Sequence, residues 1–208
     1  YDITISSRDI AGNESSYSVH FTIDTTAPVI KDLSEFDGKT FNNIDLDLDL
    51  DELVSDLTVC DVRMYLNGSE YDGVSDIEDG SYTLLITAED ELGHRSEKSA
   101  TFVLDTKAPV FIVTGVEDGD VKEENYDIEI SLQLDEDKLT SVKLNDKDVL
   151  LSNNNTTATL KVTDRGVYEL YMAAVDPAGN EAEQIISFVY GDEEMAAAAL
   201  DDTVCKTD

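Results

Sequence analysis

Tryptophan is absent from this 208-residue chain, and cysteine and histidine occur only twice each. Cys60 and Cys205 lie too far apart for the close, even-numbered spacing of a secreted disulfide framework. Cys60, after Leu57-Thr58-Val59, reads as a small buried apolar residue, and Cys205 as a free thiol in an acidic tail. Neither His20 nor His94 sits in an H-E-x-x-H or G-x-S-x-G context, so catalysis has no constellation to rest on. Positive charge is scarce as well. Against 47 Asp and Glu there are 14 Lys and Arg, a formal net charge of −33. Such a surface repels a phosphate backbone and anionic headgroups, which argues against nucleic acid and membranes as partners. No apolar run approaches the ~18 residues of a membrane-spanning helix. At 41% hydrophobic, however, the chain has enough apolar material for compact cores.

What is present is repetition. Residues 1–29 lie over residues 82–110 without a gap, and Tyr1, Ile5, Asp9, Gly12, Phe21, Asp24, Ala27 and Pro28 are among the identities. A third copy starts at Tyr168. The same Asp recurs at 9, 90 and 176, an interval of 81 and then 86 residues, the size of a small domain. Four segments are therefore expected. Residues 1–27 are the last hairpin and linker of a truncated unit, as in a piece cut from a longer chain. Residues 28–108 and 109–190 are complete units, and 191–208 are an acidic tail or linker with scope for one or two helical turns.

Within each unit the pattern is that of strands. Tyr82, Leu84, Ile86 and Ala88 alternate with Thr83, Leu85 and Thr87, and Tyr168, Leu170, Met172 and Ala174 do the same. Asn67-Gly68 is a strong hairpin signal. Many short strands with regular turns and no convincing helix predict an all-β fold of tandem immunoglobulin-like antiparallel β-sandwiches. Glu78-Asp79-Gly80-Ser81-Tyr82 and Asp164-Arg165-Gly166-Val167-Tyr168 have the form of a tyrosine corner. Leu84 and Leu170 stand where antibody domains carry a cysteine, so apolar packing alone must hold these sandwiches.

The pattern Y-x-L-x-x-x-A-x-D-x-x-G-N, a strand, then F-x-x-D-T-x-A-P resembles the bacterial Ig-like repeats of surface proteins, up to about Tyr190. His94 departs from it, standing where the pattern has Asn. The resemblance implies a non-catalytic stalk of a secreted, extracellular cell-surface protein, Gram-positive in source, presenting adhesive or catalytic modules beside further repeats of the same chain. The alternative it implies is a ligand-binding adhesin module for a host glycoprotein, immunoglobulin or glycan.

Three features offer chemistry. The short linkers Asp24-Thr25-Thr26-Ala27-Pro28 and Asp105-Thr106-Lys107-Ala108-Pro109 leave little swivel, because Pro fixes φ and restrains the residue before it. Carboxylates gather near these joints: Asp90 in a hairpin turn and Asp105 in a linker, with Asp9 and Asp24 as equivalents. No cofactor is required, but such oxygen ligands suit calcium; the competing reading is that tight turns simply favour Asp and Gly. The run Ile44-Asp45-Leu46-Asp47-Leu48-Asp49-Leu50-Asp51-Glu52 alternates as a strand with one acidic face, either a cation strip or a solvated outer surface. Candidate partner contacts are Tyr65 and Tyr71, in the segment where the two units differ most, and the outward Tyr171.

Overall fold

A computed structural model of the chain describes residues 1–197. They form an all-β protein of tandem Ig-like sandwiches. The chain divides into two compact units, residues 1–39 with 45–103, and residues 40–44 with 104 onward. Cys205 lies outside the described residues. No described helix is long and apolar enough to cross a membrane.

The chain opens with a two-stranded hairpin, β1 (Asp2–Arg8) and β2 (Glu14–His20). Ile3 pairs with Val19 and Ile5 with Tyr17, and all four are exposed. Their counterparts in the repeat include Leu84 and Ile86, each 0% exposed. The same sequence pattern thus lies uncovered here and packed there, because packing needs an opposing sheet as well as alternation.

After the hairpin the chain continues with β3 (Val29–Ile30), β4 (Lys39–Phe41), a short helix α1 (Leu50–Leu53), β5 (Val54–Ser55), β6 (Cys60–Leu66), β7 (Ser69–Glu70), β8 (Gly80–Asp90) and β9 (Arg95–Leu104). One sheet is β3-β5 and the other runs β4-β9-β8-β6-β7. The core is filled from β6, β8 and β9 by Met64, Leu66, Leu84, Ile86, Ala100 and Phe102, and from the loops by Leu33, Phe36 and Leu46.

The second unit comprises β10 (Phe111–Thr114), β11 (Val121–Lys122), β12 (Tyr126–Leu132), β13 (Lys138–Leu144), β14 (Lys147–Asp148), β15 (Leu151–Ser152), β16 (Thr157–Val162), β17 (Gly166–Val175) and β18 (Glu181–Tyr190). Its sheets are β10-β12-β16-β15 and β11-β18-β17-β13-β14. Their inner faces close over Ile128, Ile130, Val142, Leu170, Met172 and Phe188. One edge contact, β11 on β18, is parallel; every other pairing described is antiparallel. Residues 193–197 turn helical after the last strand.

Three devices recur in both units. The Tyr82 hydroxyl donates to the Glu78 carbonyl at 2.7 Å, and Tyr168 to the Asp164 carbonyl at 2.6 Å, completing both tyrosine corners. Each corner ring stacks on a core phenylalanine, Tyr82 on Phe102 at 5.4 Å and Tyr168 on Phe188 at 5.3 Å. Asn67 and Asn145 take positive φ (49° and 48°) and accept from the N–H groups of Thr83 and Glu169, each at 2.8 Å. Positive φ at both central turn residues is what a tight two-residue hairpin requires.

The acidic run at 44–52 is not the strand its alternation predicts, and the expectation of no helix fails at the same place. Asp45 Oδ1 accepts the Asp47 N–H at 3.0 Å, and Asp49 Oδ1 caps α1 by accepting from Asp51 and Glu52. Local side-chain acceptors have replaced ladder bonds. Leu46 is buried while Asp45 and Asp47 are exposed, so the in–out alternation survives without a strand.

Leu170 and Ile3 occupy equivalent repeat positions in opposite surroundings. Leu170→Ala is expected to destabilise the second unit by about 2–5 kcal/mol, the usual cost of a core cavity. Ile3→Ala should stay within about 0.5 kcal/mol, as at exposed sites. Denaturant unfolding of the two variants measures the difference; equal losses would contradict the burial assignment.

Candidate cation site

Asp24, Asp56 and Asp90 converge in the first unit, each offering a carboxylate oxygen within 4.8 Å of the other two. Three stretches of chain supply them: the segment before Pro28, the loop leading into β6, and the turn between β8 and β9. Local hydrogen bonds set each one. Asp24 Oδ1 accepts the Thr26 N–H at 3.0 Å and its hydroxyl at 2.8 Å. Asp56 Oδ2 accepts the same pair from Thr58, at 3.1 and 3.0 Å. The Asp90 Oδ1 atom accepts from the N–H groups of Leu92 and His94, both at 2.8 Å. Asp-x-Thr and the Asp-led turn are thus local scaffolds that aim a carboxylate.

Asp24 and Asp90 are 8% and 5% exposed. Asp24 Oδ2 is buried, and among the described residues no hydrogen bond reaches it. A buried carboxylate oxygen without a partner is costly, and here it belongs to a group of like charges. Backbone and hydroxyl bonds from Thr26 hold the Asp24 carboxyl below the ordinary aspartate range, although burial and the nearby Asp90 oppose them. For Asp90, burial is the largest single influence and pushes its pKa up. Hydrogen bonds from the His94 ring and from the His94 and Leu92 N–H groups, with the His94 charge, outweigh it and leave the pKa lowered.

Two neighbours complete the surroundings. His94 Nδ1 lies 2.7 Å from Asp90 Oδ2. That bond, helped by the charges of Asp90, Asp24 and Asp56 and opposed by burial, raises the imidazole pKa. Cys60, a free thiol, is pushed up by burial and then by Asp56, Asp90 and Asp24. A thiol kept protonated is a poor metal ligand, so the donors here are carboxylate oxygens. Oxygen donors select hard cations. Calcium–oxygen distances of about 2.3–2.6 Å place two ligands of one ion at most about 5 Å apart, which the 4.8 Å limit satisfies.

Of the residues singled out from sequence, Asp24 and Asp90 come together. Asp9 is separate, bound within its own exposed turn to Asn13 N–H at 2.9 Å and Asn13 Nδ2 at 2.8 Å. Asp105 lies beside Asn180 in the second unit, not with Asp90. Asp56 was not foreseen: its Asp-x-Thr spacing matches Asp24-x-Thr26, but the repeat has no counterpart to it. Tyr65 is half-buried on the outer face of its sheet and lines a shallow concavity with Asp61, Arg63, Thr87, Glu89 and Arg95. The Tyr71 hydroxyl donates to the Ser75 carbonyl. In the second unit, Tyr171 donates to Glu183 Oε1 at 2.8 Å.

Residues 69–199, more than half of the chain, match the sequence model of the Bacterial Ig-like domain (group 3). The chain belongs to this family. Bacterial Ig-like domains of this kind are structural, non-catalytic modules. No curated protein matches the sequence. Among solved structures, the fibronectin(III)-like modules of Clostridium thermocellum CbhA align at 13% identity over 81% of this chain and 96% of theirs, with a TM-score of 0.37. The Bacteroides ovatus glucan-locus protein SGBP-B, solved with a mixed-linkage heptasaccharide, aligns at 16% over 79% of this chain and 48% of its own, with a TM-score of 0.32. Sidekick-1 immunoglobulin domains 1–4 align at 12% over 90% and 57%, with a TM-score of 0.43.

The His94–Asp90 bond makes the Ig-like fold sensitive to pH when divalent ions are chelated. A raised folded-state pKa means that the imidazolium contributes fully below the unfolded value, about 6.5. That contribution is lost as the pH rises through the higher folded value. Thermal unfolding from about pH 5.5 to 8.5 should therefore show a fall in stability across and above neutrality that His94→Gln lacks. Parallel profiles for the two proteins would contradict it.

Proposed function

We propose that the chain is a non-catalytic spacer of a secreted, extracellular bacterial surface protein, built from Ig-like units at residues 28–108 and 109–190 and reinforced by calcium at Asp24, Asp56 and Asp90. The duplication of one self-contained frame, with the same tyrosine corner, ring stack and Asn turn in each unit, carries the spacer reading. A spacer needs repeated folding units and no unit-specific pocket. The short Pro-containing linkers limit swivel, and neighbouring repeats of the same chain are the partners this reading implies. The high negative charge keeps such modules soluble and mutually repellent. Calcium at the three carboxylates ties the segment before Pro28 to the loop entering β6 and to the β8–β9 turn. It also neutralises the group that includes Asp24 Oδ2, which no hydrogen bond among the described residues reaches.

A second reading, a module that binds a host glycoprotein, immunoglobulin or glycan, rests on the Tyr65 concavity. Tyrosine and arginine are the side chains that anchor interfaces. Here, however, Arg63 and Arg95 already pair with Asp61 and Glu89, at 2.8 and 2.9 Å on an exposed face. The spacer reading is therefore preferred, and it predicts no saturable binding to a panel of such ligands.

Hydrogen exchange tests the calcium arm. At calcium a hundredfold above its dissociation constant, exchange that requires opening of residues 24–26 and 90–94 should slow about a hundredfold. Asp56→Asn should lose that slowing. No calcium effect in the unaltered chain, or an equal effect in the variant, would contradict the reading.

A further inference from the structure

One five-residue turn occurs three times, at Asp9–Asn13, Asp90–His94 and Asp176–Asn180. In each copy the N–H of the aspartate donates to the carbonyl of the fifth residue, at 2.9, 3.0 and 3.1 Å. The N–H of the fifth residue returns to Oδ1 of the aspartate, at 2.9, 2.8 and 2.8 Å. The fifth side chain then meets the other carboxylate oxygen: Asn13 Nδ2 at 2.8 Å, His94 Nδ1 at 2.7 Å and Asn180 Nδ2 at 2.7 Å. Asparagine and histidine therefore close the turn equally well.

Asn180 also reaches beyond its turn. Its Nδ2 donates to the Asp105 carbonyl at 2.7 Å, with the Lys107 carbonyl at 3.3 Å. All of these residues belong to the second unit. A side-chain amide nitrogen carries two hydrogens, so one can serve the Asp176 carboxylate while the other holds the carbonyls. Asp176 is buried and its carboxylate is ionised in ordinary conditions, which favours a short, strong bond to that amide. An imidazole nitrogen carries at most one hydrogen, and His94 Nδ1 directs it at Asp90.

The corresponding segment of the first unit has the same local shape. Asp105 Oδ1 accepts the Lys107 N–H at 3.1 Å, and Asp24 Oδ1 accepts the Thr26 N–H at 3.0 Å. The repeat places Asp24 on Asp105 and Thr26 on Lys107. Among the described residues, however, no hydrogen bond joins His94 to residues 24–26. The difference between the two units thus lies in the fifth residue of the turn and not in the segment it faces.

We propose that the Asn180 side chain is a latch that fastens residues 105–107, the entry segment of the second unit, to that unit's own β17–β18 turn without an ion. Its two hydrogens stand between a carboxylate and carbonyl oxygens, where a cation would otherwise stand. The first unit has His94 at this position and no such latch, so the fastening of residues 24–26 falls to the cation of the reading above. The latch itself is independent of that reading. One entry segment is fastened permanently and the other only when a divalent ion is bound.

NMR of the full chain in EDTA tests it. A scalar coupling through the hydrogen bond from Asn180 Nδ2 to the Asp105 carbonyl carbon is expected, and its absence overturns the proposal. Asn180→His puts the residue of the first unit into the second turn. Exchange of the Asp105 and Lys107 amides should then quicken about tenfold, the usual worth of one such hydrogen bond. The Asp176 and Asn180-position amides should keep their protection, because histidine closes the same turn. Unchanged exchange at 105 and 107 overturns the latch. So does a loss shared equally by the turn amides, which would make Asn180 a part of the turn alone. The coupling is read in the unaltered chain and decides the matter even if the variant does not fold. With calcium chelated throughout, neither result depends on the Asp24, Asp56 and Asp90 site.

Discussion

Burying a carboxylate costs several kcal/mol unless its charge is compensated, and that constraint organises this molecule. The buried polar or charged residues among those described are four aspartates: Asp24, Asp90, Asp137 and Asp176. They are not scattered. Two belong to each unit, beside an Asp-led turn between the last two strands of a sheet. A chain with a net charge of −33 has ample surface on which to keep carboxylates in water. Asp90 and Asp176 share the repeated turn position, whereas Asp24 and Asp137 have no buried aspartate opposite them in the repeat.

The frame can hold them because the rest of each sandwich is apolar and self-sufficient. Leu84 and Leu170 are each 0% exposed, filling positions that antibody domains give to a cystine. The tyrosine corner and its stack on phenylalanine fix the strand that ends in the Asp-led turn. Register then carries that precision outward. Once β8 is aligned on β6 and β17 on β13, the residues facing Asp90 and Asp176 are determined, and they are Cys60 and Asp137. In the first unit a third carboxylate comes from a loop, at Asp56.

Much of this was legible in the sequence. Alternation and the gapless overlay of residues 1–29 on 82–110 reveal tandem sandwiches, and the D-x-G-x-Y form reveals the tyrosine corner, because each is a local signature of a local bond. The grouping of the carboxylates was not legible. Asp24 meets Asp90, 66 positions later, and only the closed fold brings them together. Asp137 could be seen only with the strand register, which a β-bulge between Leu139 and Ser141 shifts by one residue. The 44–52 run misled for a different reason. Its alternation was real, but Asp45 and Asp49 bond their own backbone more readily than a neighbouring strand.

The most direct measurement is anomalous diffraction from crystals of the full chain grown with calcium. A peak within about 2.3–2.6 Å of carboxylate oxygens of Asp24, Asp56 and Asp90 is the predicted result. A well-ordered triad with no peak, its place taken by water or a protonated carboxyl, would contradict the claim that a cation compensates the buried charge.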